Sequence, residues 1–187
     1  MRSLAVVAAI AGAIGGSTAP ASASVERPPQ LVLMAFDNCT ELDRWENLTK
    51  FVADMKARSI PVQFTFFVSA VNFLAEAKKD LYKGPHHARG KSNIDFGGSP
   101  GDIARRVAFM NGLHAAGSEI GSHTVGHFDG GEESWTAGDW RNEFQSYKTM
   151  FLNVGPNNGL PSDVKFDFAF DEVVGFRAPY LSTTPGL

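Results

Sequence analysis

Leu31-Val32-Leu33-Met34-Ala35-Phe36 is a continuous apolar run that ends in Asp37-Asn38-Cys39. Such a run, with no polar alternation, suits a strand of a parallel sheet buried on both faces. The period then changes. Thr40 with Asp43 reads as a capping-box start, and Leu42, Trp45, Leu48, Val52 and Met55 recur at helical spacing, predicting an amphipathic helix over residues 41–57. The alternation repeats down the chain. Val62 to Val68 (VQFTFFV) is β-branched and aromatic, hence a strand. Ser69 is suited to cap a helix running to about Tyr82, with Val71, Leu74 and Leu81 on its inner face. Ser99-Pro100 opens a further helix whose stripe is Ile103, Val107, Met110 and Leu113. Glu119-Ile120-Gly121 reads as a short strand, Trp140, Phe144, Tyr147 and Phe151 mark a helix near residues 137–153, and Val173 to Arg177 reads as a last strand. Strands alternating with helices imply parallel pairing and an α/β fold. In such folds chemistry gathers at the carboxyl ends of the strands. That rule singles out Asp37-Asn38-Cys39, His123 to His127, and Arg177 to Tyr180.

Composition narrows the function classes. The 187 residues suit one domain, and 43% apolar against 20% charged residues is the balance of a globular protein with a real core. Seventeen basic against twenty acidic residues leave a formal charge of −3, without the basic excess of a nucleic-acid binder. A single cysteine excludes an intrachain disulfide and a Cys-rich zinc module. Residues 1–23 read as an export signal: Arg2 is the positive start, Leu4 to Ile14 the apolar run, and Ala21-Ser22-Ala23 a small-x-small cleavage site. The run falls short of the about 20 apolar residues that a membrane span needs. The expected location is therefore periplasmic or extracellular, with no transmembrane segment and no protein partner implied.

His123-Thr124-Val125-Gly126-His127 sets two imidazoles four residues apart. On a helical turn they would share one face and bind one metal ion. Gly117, Gly121, Gly126, Gly130 and Gly131 surround them, so a tight turn is an equal alternative. A zinc-protease site is disfavoured, because Thr124 stands where that chemistry needs a glutamate base. Asp37 closes an apolar strand, where a lone carboxylate needs a partner, a task or a turn to start. Arg177-Ala178-Pro179-Tyr180 follows the last strand, and an arginine there can pair with and orient a carboxylate.

Taken in order, these stretches carry a resemblance. Ala35-Phe36-Asp37-Asn38-Cys39 resembles the Thr-Phe-Asp-Asp-Gly first motif of polysaccharide deacetylases, carbohydrate esterase family four. His123-Thr124-Val125-Gly126-His127 is similar to their His-Ser/Thr-x-x-His second motif, and Arg177-Ala178-Pro179-Tyr180 to their Arg-x-Pro-Tyr third. Thr65-Phe66-Phe67 and Glu119-Ile120-Gly121-Ser122 resemble the same framework, so the likeness runs over roughly residues 31–182. It implies a distorted (β/α) barrel over residues 24–187, and a metal-dependent hydrolase removing acetyl groups from an N- or O-acetylated polysaccharide. Carried over by position, Asp37 is the general base that activates water, and Arg177 holds Asp37 oriented. His123, His127 and residue 38 bind the metal, by default zinc, with cobalt or nickel fitting the same donors. The Tyr180 backbone N–H stabilises the oxyanion, and Pro179, Tyr180 and Trp135 face substrate.

The chain departs from the family's pattern in its first motif and after its third. Asn38 stands where the family has Asp, and its neutral amide oxygen is a weaker donor, so metal affinity is expected to drop. Cys39 stands where the family has Gly, as a substitute thiol ligand or a small buried side chain. Family members also continue to a Leu-x-His whose histidine is the general acid, and no Leu-x-His follows Arg177. The resemblance therefore predicts a barrel incomplete at its C-terminus and lacking that acid. A second reading is a catalytically impaired glycan-binding relative or an inactive fragment. The Gly-rich stretch Lys83 to Gly98 reads as a long loop in which His86, His87 and Arg89 line a glycan groove or are simply solvated. Trp140 is assigned to the helix core by its spacing. Asn38-Cys39-Thr40 and Asn47-Leu48-Thr49 match the glycosylation pattern but fall in strand-end and helix positions.

Overall fold

The structure is a computed structural model that describes residues 30–37 and 39–187. The expected export signal and Asn38 lie outside the described residues. The chain divides into two units, Met1–Val32 and Leu33–Leu187, and the fold below is that of the second.

Four parallel strands stand in the order β1 (Ala35–Asp37), β2 (Thr65–Val68), β3 (Glu119–Ser122) and β4 (Gly175–Phe176). Phe36 is level with Phe66 and Phe66 with Ile120, while Ser122 is level with Phe176. Chain order and spatial order coincide, as expected where each connection crosses over and returns alongside. Helix α1 (Leu42–Ala57) follows β1, α2 (Pro100–Ala115) precedes β3, and α3 (Ala137–Leu152) with the short α4 (Val154–Asn157) lies between β3 and β4. The expectation of a parallel α/β fold holds, and the sheet is open among the described residues.

Burial alternates along β2, and Ile120 to Ser122 of β3 are all buried. Strand β1 is exposed on either side of a half-buried Phe36, which corrects the expectation that the apolar strand over residues 31–36 is covered on both faces. Phe64, Phe66, Val68 and Ile120 are buried, whereas Ala35 and Glu119 are exposed and Thr65 and Phe67 half-buried. The covered face meets Trp45 and Val52 of α1, Ile103, Val107, Met110 and Leu113 of α2, and Trp140, Tyr147 and Phe151 of α3. Those are the stripes the periodicity picked out. Aromatic contacts join the layers, with the Trp45 ring 5.3 Å from Phe66 and Phe144 edge-on to Phe176 at 5.0 Å.

Several local expectations are corrected. Strand β1 begins only at Ala35, and Leu33 and Met34 are exposed, because no layer covers the chain before the ladder to β2 starts. Helix α1 is capped by Glu41 without a side-chain hydrogen bond, so the Thr40–Asp43 box does not form. The helix expected from Ser69 is two 3₁₀ segments, Ala70–Phe73 and Glu76–Leu81, and Leu81 is exposed. Its first amides are drawn into long-range bonds: Ala70 N donates to Thr124 O at 3.2 Å and Val71 N to Val125 O at 3.2 Å. The Ser69 hydroxyl donates to His123 O at 2.7 Å instead of capping. Where caps do form they are full boxes, Ser99 with Asp102 on α2 and Thr136 with Asp139 on α3. Among the described residues no helix is long and apolar enough to cross a membrane.

Candidate functional site

The carboxyl ends of β1, β3 and β4 bring Asp37, His123 and Arg177 to one end of the sheet. Arg177 Nη1 donates to Asp37 Oδ1 at 2.7 Å, and the Arg177 guanidinium lies 4.3 Å from the Phe67 ring centroid. The arginine is thus braced by a carboxylate and an aromatic ring of the strand between them. Its backbone is fixed as well. Arg177 N donates to Ser122 O at 3.0 Å, and Arg177 O accepts from His123 Nδ1 at 2.7 Å. Because a carbonyl only accepts, the proton of neutral His123 sits on Nδ1 and the Nε2 lone pair is left available.

His123 to His127 is a tight turn, not a helix. The two imidazole centroids are 4.7 Å apart at 77°, and the Tyr180 ring lies 5.1 Å from that of His127. Thr124 has φ 63° and His127 φ 57°, while Tyr180 has φ 56° and Leu181 φ 55°. Each left-handed non-glycine residue costs about 1–3 kcal/mol and persists only where neighbours over-determine it. Four such residues meet at this end of the sheet. Gly126 is required here by close approach, since a Cβ would come within 2.6 Å of the Tyr82 ring and 2.8 Å of Phe128.

Burial and the neighbouring His123 push the His127 imidazole below its usual range, with Asp37 opposing them. Both effects favour the neutral ring, the form that binds a metal. His127 Nδ1 is buried with no hydrogen-bond partner among the described residues, and a buried nitrogen left in that state invites a ligand. Two adjacent imidazoles, one with a buried unpartnered nitrogen, therefore fit a divalent cation. Among the described residues no group of three or more His, Cys, Asp or Glu is placed to hold one. Asn38, assigned the third donor, lies outside them, and Cys39 Sγ is directed to Glu41 O at 3.6 Å.

Pro179 is buried and Tyr180 exposed, so of the two only Tyr180 offers its side chain outward. Trp135 is 1% exposed, bonded through Nε1 to Glu133 at 2.9 Å and packed on Trp140, so its expected role as a sugar platform is corrected to core packing. Trp140 is core, as its spacing implied. His87 stacks on Phe128 at 3.7 Å and bonds Glu133 at 2.9 Å, which ties down a ring that stays partly exposed. Sequence reasoning missed Glu143, a fully buried carboxylate on α3 that binds the turn between the two histidines. Its signal was a charged residue on the apolar face shared by Trp140, Tyr147 and Met150. Burial raises the Glu143 carboxyl above its usual range, opposed by bonds from Val125 N and Gly126 N. Burial also raises the Tyr82 phenol, with Glu143 adding to the effect.

No family model matches the chain, and no curated protein matches it. Among solved structures it is similar to the CE4 domain of a multidomain xylanase from the hindgut metagenome of Trinervitermes trinervoides, at 17% identity and a TM-score of 0.42, covering 82% of this chain and 50% of that one. It is also similar to a CE4 family pseudoenzyme from Bacillus anthracis, at 12% identity and a TM-score of 0.43, covering 83% of this chain and 37% of that one. A mutant of that pseudoenzyme with restored enzymatic activity aligns at 13% identity and a TM-score of 0.44, covering 83% of this chain and 39% of that one. The chain thus spans half or less of each structure.

Proposed function

We propose that this chain is an exported, metal-dependent hydrolase that removes acetyl groups from an N- or O-acetylated polysaccharide. The observation that carries the reading is the meeting of the Asp37–Arg177 pair with the His123 and His127 imidazoles at one end of a parallel sheet. A sheet with helices packed on one face and a half-open second face also suits an arc of the distorted (β/α) barrel that the motif resemblance implies.

In this reading His123 and His127 hold the cation, zinc by default, with the Asn38 amide oxygen as a weak further donor. A bound divalent metal supplies Lewis-acid polarisation of water and of the acetyl carbonyl. Everything else is done by the chain. Asp37 takes the proton of the attacking water, and its exposed position leaves it reachable from solvent. Arg177 keeps that carboxylate aimed through the 2.7 Å contact. The Tyr180 ring lies beside that of His127, and in this reading the Tyr180 amide N–H stabilises charge developing on the carbonyl oxygen.

Acetate release from N-acetylglucosamine oligomers and from acetylated xylan tests the reading. Release that a chelator abolishes and zinc restores supports it. A folded, zinc-loaded chain that frees no acetate from either substrate sinks it. Asn38 favours one other reading, a catalytically impaired glycan-binding relative. That reading expects glycan binding untouched by Asp37→Ala, with no acetate released.

A further inference from the structure

The strained turn between His123 and His127 is held from outside. Val125 N and Gly126 N both donate to Glu143 Oε1, at 2.8 Å and 3.2 Å. Glu143 lies on α3 and is 1% exposed. The Tyr82 hydroxyl, equally buried, donates to the same carboxylate, 3.0 Å from Oε1 and 2.9 Å from Oε2. Glu143 shares its helix face with Trp140, Tyr147 and Met150, so an apolar residue would suit the packing better than a carboxylate. What an apolar residue cannot do is accept two amide protons in a dry place, where a buried donor left unpaired is costly. The bonded amides lie between the left-handed residues Thr124 and His127, at the point where the turn most needs an external restraint.

We infer that Glu143 is a positioning residue, whose buried carboxylate clamps the backbone between the two imidazoles so that their spacing is preset for one divalent cation. The inference rests on the reading of His123 and His127 as metal ligands given above. Glu143 acts through the backbone of Val125 and Gly126 and does not touch the cation. Tyr82 completes the device by fixing the far side of the carboxylate, with its ring against Gly126. Outer partners of this kind typically govern metal affinity about 10- to 100-fold.

The test compares the full chain with Glu143→Gln, Glu143→Leu and Glu143→Asp. Zinc affinity is read by titration calorimetry, amide hydrogen exchange at Val125 and Gly126 by NMR, and global stability by thermal melting. Gln keeps an acceptor oxygen for both amides and an NH₂ for the Tyr82 oxygen, so it is expected to stay close to the parent in affinity and protection. Leu is expected to bind zinc about 10- to 100-fold more weakly and to lose protection at both amides. Asp keeps the charge but shortens the reach, so it should lose protection and affinity in the same direction, and it decides the matter where Leu fails to fold. A cooperatively melting Leu or Asp variant with parental zinc affinity and parental exchange at both amides overturns the inference. A parent that binds no zinc overturns the metal reading and the positioning role with it, while unchanged protection in the variants would identify an absent clamp as a separate failure.

Discussion

At the scale of single residues, Arg177 joins the two halves of the site. Its side chain holds Asp37 and its carbonyl fixes the tautomer of His123. The two roles separate on mutation, because the carbonyl survives any side-chain change. The ion pair is partly exposed, with side chains 31% and 41% accessible, so it adds little to stability. Arg177→Ala is expected to change the unfolding free energy by under about 1 kcal/mol in a urea melt. The same substitution should lower acetate release by about ten-fold or more through a disordered base. Zinc affinity, which the proposed reading assigns to His123 and His127, should stay near the parent's. Equal loss of stability and activity would show that the arginine is structural. In the sequence, Asp37 and Arg177 were legible as strand-end residues of paired charge. Glu143 was not, because it stands at no strand end and in no recognisable motif, and nothing around it points to its Tyr82 partner.

Among elements, the helices were read best and the segments beside the site worst. Helix α2 begins at the Ser99-Pro100 signal and carries its stripe inward as expected. Its cap is a reciprocal box, and the Ser99 hydroxyl, followed by the Ser99 amide, holds the Asp102 carboxyl below its usual range. The Thr136 hydroxyl and amide do the same for Asp139 on α3. A carboxyl lowered in the folded state contributes stability that is present above its unfolded pKa of about 4 and lost as pH falls through the lowered folded value. Ser99→Ala is expected to cost about 1 kcal/mol at neutral pH. Melting temperature against pH should then fall less steeply in acid for Ser99→Ala and Thr136→Ala together than for the parent. Parallel acid limbs in parent and double variant would refute the capping account. The stretch after β2 escaped the same kind of reading. Ser69 looks like a cap in sequence, but its hydroxyl and the amides of Ala70 and Val71 are drawn to the carbonyls of His123, Thr124 and Val125. Tertiary hydrogen bonds outcompeted a local helix.

For the whole molecule, the sheet has a filled face and an open one. Phe66 points into the filled face and is 2% exposed, whereas its neighbour Phe67 is half-buried beneath Arg177. Phe66→Ala should therefore cost about 3–5 kcal/mol in chemical denaturation. Phe67→Ala should cost clearly less, including about 0.5–1 kcal/mol for the lost cation–π contact. Similar costs at both positions would mean that the second face is covered as well. The apolar run of β1 suggested burial on both sides, and this is where sequence reading went furthest astray. Hydrophobicity reports that a strand is buried, but which face is covered depends on where the helices come to rest.

By itself the sequence determined the order of the strands and of α1, α2 and α3, the parallel pairing, the apolar stripes of those helices, and the strand ends that carry Asp37, His123, His127 and Arg177. These follow from periodicity and chain order, which are local properties. Only the tertiary structure decided that His123 to His127 is a left-handed turn, that Trp135 is core, and that Glu143 and Tyr82 grip the turn from outside. Those outcomes depend on groups tens of residues apart competing for the same amides and the same buried space, and such competition is settled only once the chain has packed.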